Sequence, residues 1–353
     1  MSRHVLVVRL DGAGDVLLAG PAVRAVAAAP GTDVTLLCGP AGEDAARMLP
    51  GVRDVLVWAG PWVLGDPPPV DGADIDRIVH ELSERDLDEA VVLTSFHQSP
   101  LPTALLLRLA GLARVTGASV DYPGSLLDVR LRPGDGPGDT LPEGLPEVQR
   151  GLAIVAAAGF RLPIGDDGGL AVRPPPDVSH VLADSGEPYV VLHPGAAVGA
   201  RCWPAGHHAR TAALLTDAGV RVVVTGGPDE RALTAAVAGR HGLDLGGRTT
   251  LPELAGVLAG AGAVVVGNTA AAHLAAAVRT PVVSLFAPVV PAVRWRPYRV
   301  PHVLLGDQFA ACRDTRARAC PVPGHPCLSG IGPEEVVRAV DRLRSLRTAG
   351  VRV

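Results

Sequence analysis

Val5-Leu6-Val7-Val8-Arg9-Leu10-Asp11-Gly12-Ala13-Gly14-Asp15-Val16-Leu17, close to the start of the chain, passes from an apolar run through a glycine turn into an Ala/Leu-rich block. Apolar residues in an unbroken run suit a strand buried on both faces, as in a parallel sheet. The turn places backbone N–H groups at a helix start, in the crevice where doubly wound α/β sheets bind ligands. The dinucleotide fingerprint fails here. Gly12-x-Gly14 is present, but the third glycine position is Leu17 and no acid clearly ends the next strand. The turn offers Asp15 instead, either as a capping acid of the helix or as an exposed carboxylate able to take a proton.

The same alternation runs outward from this point. Strands are expected at Val34–Leu37, Val55–Val57 and Ala90–Leu93, with helices at Leu17–Ala28, Glu43–Leu49, Ile75–Ser83 and Thr103–Ala110. Leu162–Pro188 holds Gly165-Asp166-Asp167-Gly168-Gly169 and Pro174-Pro175-Pro176, a composition that suits an interdomain connection. The pattern then restarts. Its strands are Tyr189–His193, Arg221–Thr225, Ala263–Gly267 and Val282–Phe286; its helices are His207–Ala218, Glu230–Gly239, Leu251–Ala261 and Ala271–Val278. The expected fold is α/β, two Rossmann-like doubly wound domains facing each other across a cleft. The expected division is residues 1–170, residues 171–332, and a closing segment 333–353 whose helix from Pro333 packs back on the first domain.

Composition narrows the function. A length of 353 residues exceeds one ordinary core, and 48% hydrophobic against 19% charged residues excludes disorder over most of it. Aromatics at 3% leave few rings to stack single-stranded nucleic acid, and a net charge of −4 gives no basic footprint. All 32 basic residues are arginine, so any side chain that pairs with a phosphate as a fixed cation must be one. Five cysteines, an odd number in a long chain, argue against a secreted disulfide framework. Arg9 and Asp11 interrupt the first apolar run, so no signal peptide is read. Leu254–Val278 lacks Asp, Glu, Lys and Arg, yet reads better as helix–strand–helix through a buried sheet than as a transmembrane segment. A cytoplasmic protein with a small-molecule partner, and no nucleic acid, is the expectation.

Three further turns carry chemistry. His193-Pro194-Gly195-Ala196-Ala197 repeats the strand-to-glycine device, and Arg201 and Trp203-Pro204 follow it. Gly195 permits close approach of a phosphate, and Arg201 can hold one by two parallel hydrogen bonds or lie on the surface with its stem on Trp203. Gly267-Asn268-Thr269-Ala270-Ala271-Ala272-His273 ends a strand and opens a helix, which Thr269 can cap. The amides at Ala270 and Ala271 and the helix dipole favour an anion there. In Gly226-Gly227-Pro228-Asp229-Glu230, Glu230 either accepts from ribose hydroxyls or steadies its own helix. Gly12, Gly14, His97 and Gln98 are candidates for the acceptor side. An acid in one half and phosphate-type turns in the other suit group transfer from a nucleotide-diphosphate donor. Cys312, Cys320, His325 and Cys327 lack a CxxC pair and read as a structural loop rather than a zinc site. Arg294-Trp295-Arg296 reads as the wall of a nucleotide pocket or as packing.

Taken in order, these segments resemble glycosyltransferase family 9, the ADP-heptose:lipopolysaccharide heptosyltransferases and their relatives. Arg9–Asp15, Pro194-Gly195-Ala196 through Arg201-x-Trp203-Pro204, Leu251-Pro252-Glu253-Leu254, Gly267-Asn268-Thr269 with His273-Leu274-Ala275, and Pro281–Phe286 carry the likeness over nearly the whole chain. The resemblance implies a GT-B fold, a nucleotide-sugar donor with ADP-heptose as first choice, inversion at the anomeric carbon and no required metal or other cofactor. It makes Asp15 the general base, puts Arg201 at the diphosphate and Thr269 with the following amides on phosphate oxygens, and leaves Glu230 for the ribose. The family usually has Asp-Thr-Gly where this chain has Asn268-Thr269-Ala270. That departure keeps open a catalytically weak or inactive sugar-nucleotide-binding protein of the same fold. An NAD-dependent oxidoreductase is disfavoured by the failed fingerprint.

Overall fold

The computed structural model describes residues 3–182 and 187–348. The chain folds as two compact units, residues 1–173 and 174–353. Residues 183–186 of the expected connection and 349–353 of the closing segment lie outside the described residues.

The first unit carries strands β1 (Arg3–Arg9), β2 (Thr32–Cys38), β3 (Asp54–Val57), β4 (Glu89–Val92), β5 (Arg114–Ala118) and β6 (Val129–Leu131). They form one parallel sheet in the order β3-β2-β1-β4-β5-β6. Val5 sits beside Val34 on one side and Glu89 on the other, so β1 is central and its apolar run is buried on both faces. The second unit repeats the plan with β7 (Tyr189–His193), β8 (Arg221–Val224), β9 (Leu243–Asp244), β10 (Ala263–Gly267), β11 (Val282–Leu285) and β12 (His302–Leu305), ordered β12-β11-β10-β7-β8-β9. Each sheet reverses its winding once, between β1 and β4 and between β7 and β10. Doubly wound sheets open a ligand crevice at that reversal, beyond the carboxyl ends of the strands.

Leu254–Val278 is indeed helix, strand and helix: Leu251–Gly260, β10 and Ala270–Ala277. Among the described residues no helix is long and apolar enough to cross a membrane. In the final helix, Pro333–Thr348, Val336, Val340 and Leu343 enter the core of the second unit, and the helix packs on Ala205–Asp217 and on β10 and β11. Its apolar stripe announces burial without naming the surface that buries it.

Candidate functional site

At the β1–β4 reversal, the last residue of β1 holds the site together. Arg9 is 4% exposed, so its charge must be met inside the protein. Its Nε lies 2.9 Å from Asp11 Oδ2, and its Nη2 donates to Asp15 Oδ1 at 2.8 Å and to Ser95 Oγ at 2.9 Å. Its Nη1 stands 3.8 Å from Glu147 Oε2, whose partner oxygen lies 3.5 Å from Arg150 Nε. Burial works against the guanidinium charge, but the carboxylates of Asp11, Asp15 and Glu147 outweigh it and push the Arg9 pKa up. Burial pushes the Asp11 carboxyl up, against the pull of Arg9.

Asp15 is not the cap that its spacing suggested. The helix begins at Ala13, four residues earlier than expected, and Gly12 is its N-cap with φ −75°. Asp15 is a first-turn acid, favoured there by the dipole, with a side chain 26% exposed and one oxygen fixed by Arg9. Gln98 joins the same cluster: its Nε2 donates to Asp11 Oδ1 at 2.6 Å while its Oε1 accepts from the Ser95 N–H. His97 is exposed and meets the Phe96 ring edge-on. Gly12 has open space where a Cβ would stand, and Gly14 follows within the first turn. Sequence reasoning missed Arg9, Asp11, Ser95 and Glu147. The signal for Arg9 was present, since a charge ending a fully buried strand needs buried partners.

At the β7–β10 reversal the second unit gathers its candidates. Arg201 ends a short turn, Gly199–Arg201, and its Nη1 donates to the Asn268 carbonyl at 3.3 Å. Gly267 allows this approach, because a Cβ there would lie 2.8 Å from the Arg201 carbonyl oxygen. Thr269 precedes the helix Ala270–Ala277 but does not cap it; its Oγ1 is buried and has no hydrogen-bond partner among the described residues. The first amides of that helix, at Ala270 and Ala271, have no intrahelical acceptor.

Glu230 closes the turn Pro228–Glu230, its Oε2 accepting the Gly227 N–H at 2.8 Å. The carboxylate fills the space where a Gly195 side chain would begin, so the glycine makes room for Glu230. Beside them His193, at the end of β7, shares a 3.0 Å hydrogen bond with Thr225 Oγ1. Burial pushes its pKa down, with the Glu230 carboxylate pulling the other way.

Asn268, 5% exposed, spends its amide on backbone. Its Oδ1 accepts the Ala287 N–H at 3.3 Å and its Nδ2 faces the Ala287 carbonyl at 3.5 Å. Trp203 is buried, and its ring meets His207 and His208 edge-on at 5.2 and 4.8 Å. Arg294 is buried too, in the short helix Ala292–Trp295. Cys312 and Cys327 lie in the core of the second unit, and among the described residues no three His, Cys, Asp or Glu side chains are grouped to hold a metal ion.

Comparison with known proteins covers both units. The profile of glycosyltransferase family 9 (heptosyltransferase) matches residues 140–323, just over half of the chain. Lipopolysaccharide heptosyltransferase 3 of Escherichia coli is 32% identical over 177 residues, 48% of this chain and 50% of the relative, so the match spans about half the length of that curated relative. The solved structure of E. coli ADP-heptose LPS heptosyltransferase II superposes with a TM-score of 0.73 at 20% identity, covering 99% of this chain and 100% of that one. A family 9 glycosyltransferase structure from Veillonella parvula gives 0.78 at 16% identity, over 98% of each chain. At such identities the two structures speak for the fold, which is GT-B.

Proposed function

The chain belongs to glycosyltransferase family 9, and we propose that it is an inverting glycosyltransferase moving a heptose or related sugar from a nucleotide-diphosphate sugar to an acceptor hydroxyl. ADP-heptose is the first choice of donor, by analogy with the heptosyltransferases it is similar to. A glycan or small-molecule acceptor and a cytoplasmic location belong to the same proposal. The observation that carries it is the meeting of Arg201 with the Asn268-Thr269 turn: a cation reaches the amino end of a helix, where anionic oxygens are already favoured.

In this reading the first unit serves the acceptor and the second the donor. The Asp15 carboxylate accepts the acceptor's hydroxyl proton while that oxygen attacks the anomeric carbon. The bond from that carbon to the diphosphate oxygen breaks on the opposite face, and its electron pair leaves with the nucleotide diphosphate. Arg201 and the amides of Ala270 and Ala271 meet the charge that grows there, with Thr269 Oγ1 as a further donor. Glu230 takes the ribose hydroxyls, and Gly195 keeps the room that its carboxylate occupies. On the acceptor side Gln98 acts through Asp11, while Gly12, Gly14 and His97 border the base.

Two measurements test this together. Melting is followed with ADP, GDP, UDP or NAD in excess, where a ligand at about a hundred times its Kd adds roughly 2.7 kcal/mol. A shift with ADP supports the donor assignment; a shift with NAD alone returns the oxidoreductase. Asp15→Asn should keep nucleotide binding and lose about a hundredfold or more in kcat, the contribution of a general base. Near-normal kcat in that variant would leave Asp15 as a first-turn acid and nothing more. The weakly active alternative loses part of its ground, since the Asn268 amide has a structural task of its own.

A further inference from the structure

We infer that residues 307–331, the segment after β12, brace the Arg201 turn, and that His325 is a positioning residue for the donor phosphates. The inference rests on the donor-side reading of Arg201 given above. Ala200, the residue before Arg201, is 1% exposed, so both its backbone polar groups need partners within the protein. Its N–H donates to the Arg318 carbonyl at 3.0 Å. Its carbonyl accepts from His325 Nε2 at 3.1 Å. A carbonyl can only accept, so the ring carries its proton on Nε2. Two residues beyond Arg201, Trp203 Nε1 donates to the Ile331 carbonyl at 3.2 Å. One segment therefore grips the chain on both sides of Arg201.

The segment is built to hold still. Cys312, Cys327, Leu328 and Ile331 are buried in the core of the second unit, pinning it on either side of His325. His325 itself adopts φ +52° and ψ +50°, a left-handed conformation that a non-glycine residue takes at a cost. Glycine or asparagine would stand there with less strain, but neither side chain would reach Ala200. Asp314 and Arg316 are left-handed as well, at φ +58° and +57°. The strain is carried at the very residue whose ring reaches Ala200, and it points to what the ring holds. The Arg201 guanidinium can meet a phosphate only if the backbone that carries it stays in place, and His325 supplies that constraint from outside the turn.

The experiment titrates ADP and adenosine into the full chain and into three variants, with turnover measured alongside. His325→Asn tolerates the left-handed backbone but its amide falls short of Ala200; His325→Gln restores an N–H at similar reach; Arg201→Ala controls the site. His325→Asn should weaken ADP about five- to tenfold, the scale of one lost hydrogen bond, and adenosine by less than about twofold. Donor KM should rise more than kcat falls, and His325→Gln should recover most of the loss. Wild-type ADP affinity in His325→Asn, with ADP binding lost in Arg201→Ala, overturns the brace and spares the site. Equal weakening of ADP and adenosine also overturns it, as a general loosening of the unit. No effect of Arg201→Ala on ADP removes the donor-site reading and this inference with it.

Discussion

Gly195→Ala isolates the contact that joins the Pro194-Gly195-Ala196 turn to Glu230. A methyl at residue 195 would fall inside the Glu230 carboxylate, so one of the two must move. The glycine is not left-handed, and the new side chain brings no backbone strain of its own. Glu230 is the part that yields, being the end of a flexible side chain. Its Oε2, however, holds the Gly227 N–H at 2.8 Å, and leaving that place breaks a charge-assisted bond. Such bonds contribute about 1.5–3 kcal/mol. For a folding unit of this size, 1 kcal/mol moves the midpoint by about 2–4 °C, so the expected fall is roughly 3–12 °C. The assay is calorimetric melting of the full chain in a double-mutant cycle with Glu230→Ala. With the carboxylate gone the methyl fits, and Gly195→Ala should then cost less than about 0.5 kcal/mol. Equal costs in the two backgrounds would refute the reasoning, because the penalty would then belong to the turn and not to Glu230. Nucleoside affinity gives a second readout, falling with Gly195→Ala if the displaced carboxylate is the one that holds the ribose.

Two other perturbations follow from buried polar groups. Asn268→Asp replaces the Nδ2 donor with a charged oxygen facing the Ala287 carbonyl, and should destabilise by about 1–3 kcal/mol, read as a lower melting midpoint at neutral pH. An unchanged midpoint would mean the amide is not a structural tie. His208 is buried, and burial with the neighbouring His193 and His207 pushes its pKa down to about 3. The unfolded chain therefore binds a proton near pH 6.5 that the folded chain refuses until about pH 3, so stability falls as pH drops through that window, by about 1 kcal/mol per pH unit. Urea titrations between pH 7 and 4 should show a shallower fall for His208→Gln than for the parent; parallel slopes would remove His208 from the acid response.

Most of the strands that sequence revealed are buried on both faces. β1, β2, β4, β7, β8, β10 and β11 are runs of Val, Leu and Ala, or nearly so, because a central parallel strand has no wet face to mark with alternation. The edge strand β3 was legible too, from its Val55-Leu56-Val57 run. β5, β6, β9 and β12 escaped. Each lies at or next to a sheet edge and carries Arg, Gly, Asp or His that reads as turn or loop. The helix Glu147–Ala157 escaped for another reason: Glu147 and Arg150 look like a solvated face, yet both are buried, with Glu147 between Arg9 and Arg150. The site divides the same way. Asp15, Arg201, Glu230 and Thr269 announce themselves by following strands. Ser95 and His325 act through partners 86 and 125 residues away, distances that no local pattern encodes.

The departure at Asn268-Thr269-Ala270 looks in sequence like two losses, a carboxylate and a glycine. In the structure each residue present has a physical role of its own. The amide at Asn268 is turned toward Ala287 and completes the tie between the ends of β10 and β11, a pairing that needs a donor as well as an acceptor, which a carboxylate cannot supply. Ala270 is the first residue of a helix, where the backbone is right-handed and alanine is the least costly side chain available. A glycine there would relieve no strain. On the proposed reading, what the turn offers a diphosphate is its amides, the Thr269 hydroxyl and the Arg201 cation, gathered beyond the carboxyl ends of the paired strands β10 and β7. On that reading Asn268 and Ala270 leave in place the groups that would meet an anion.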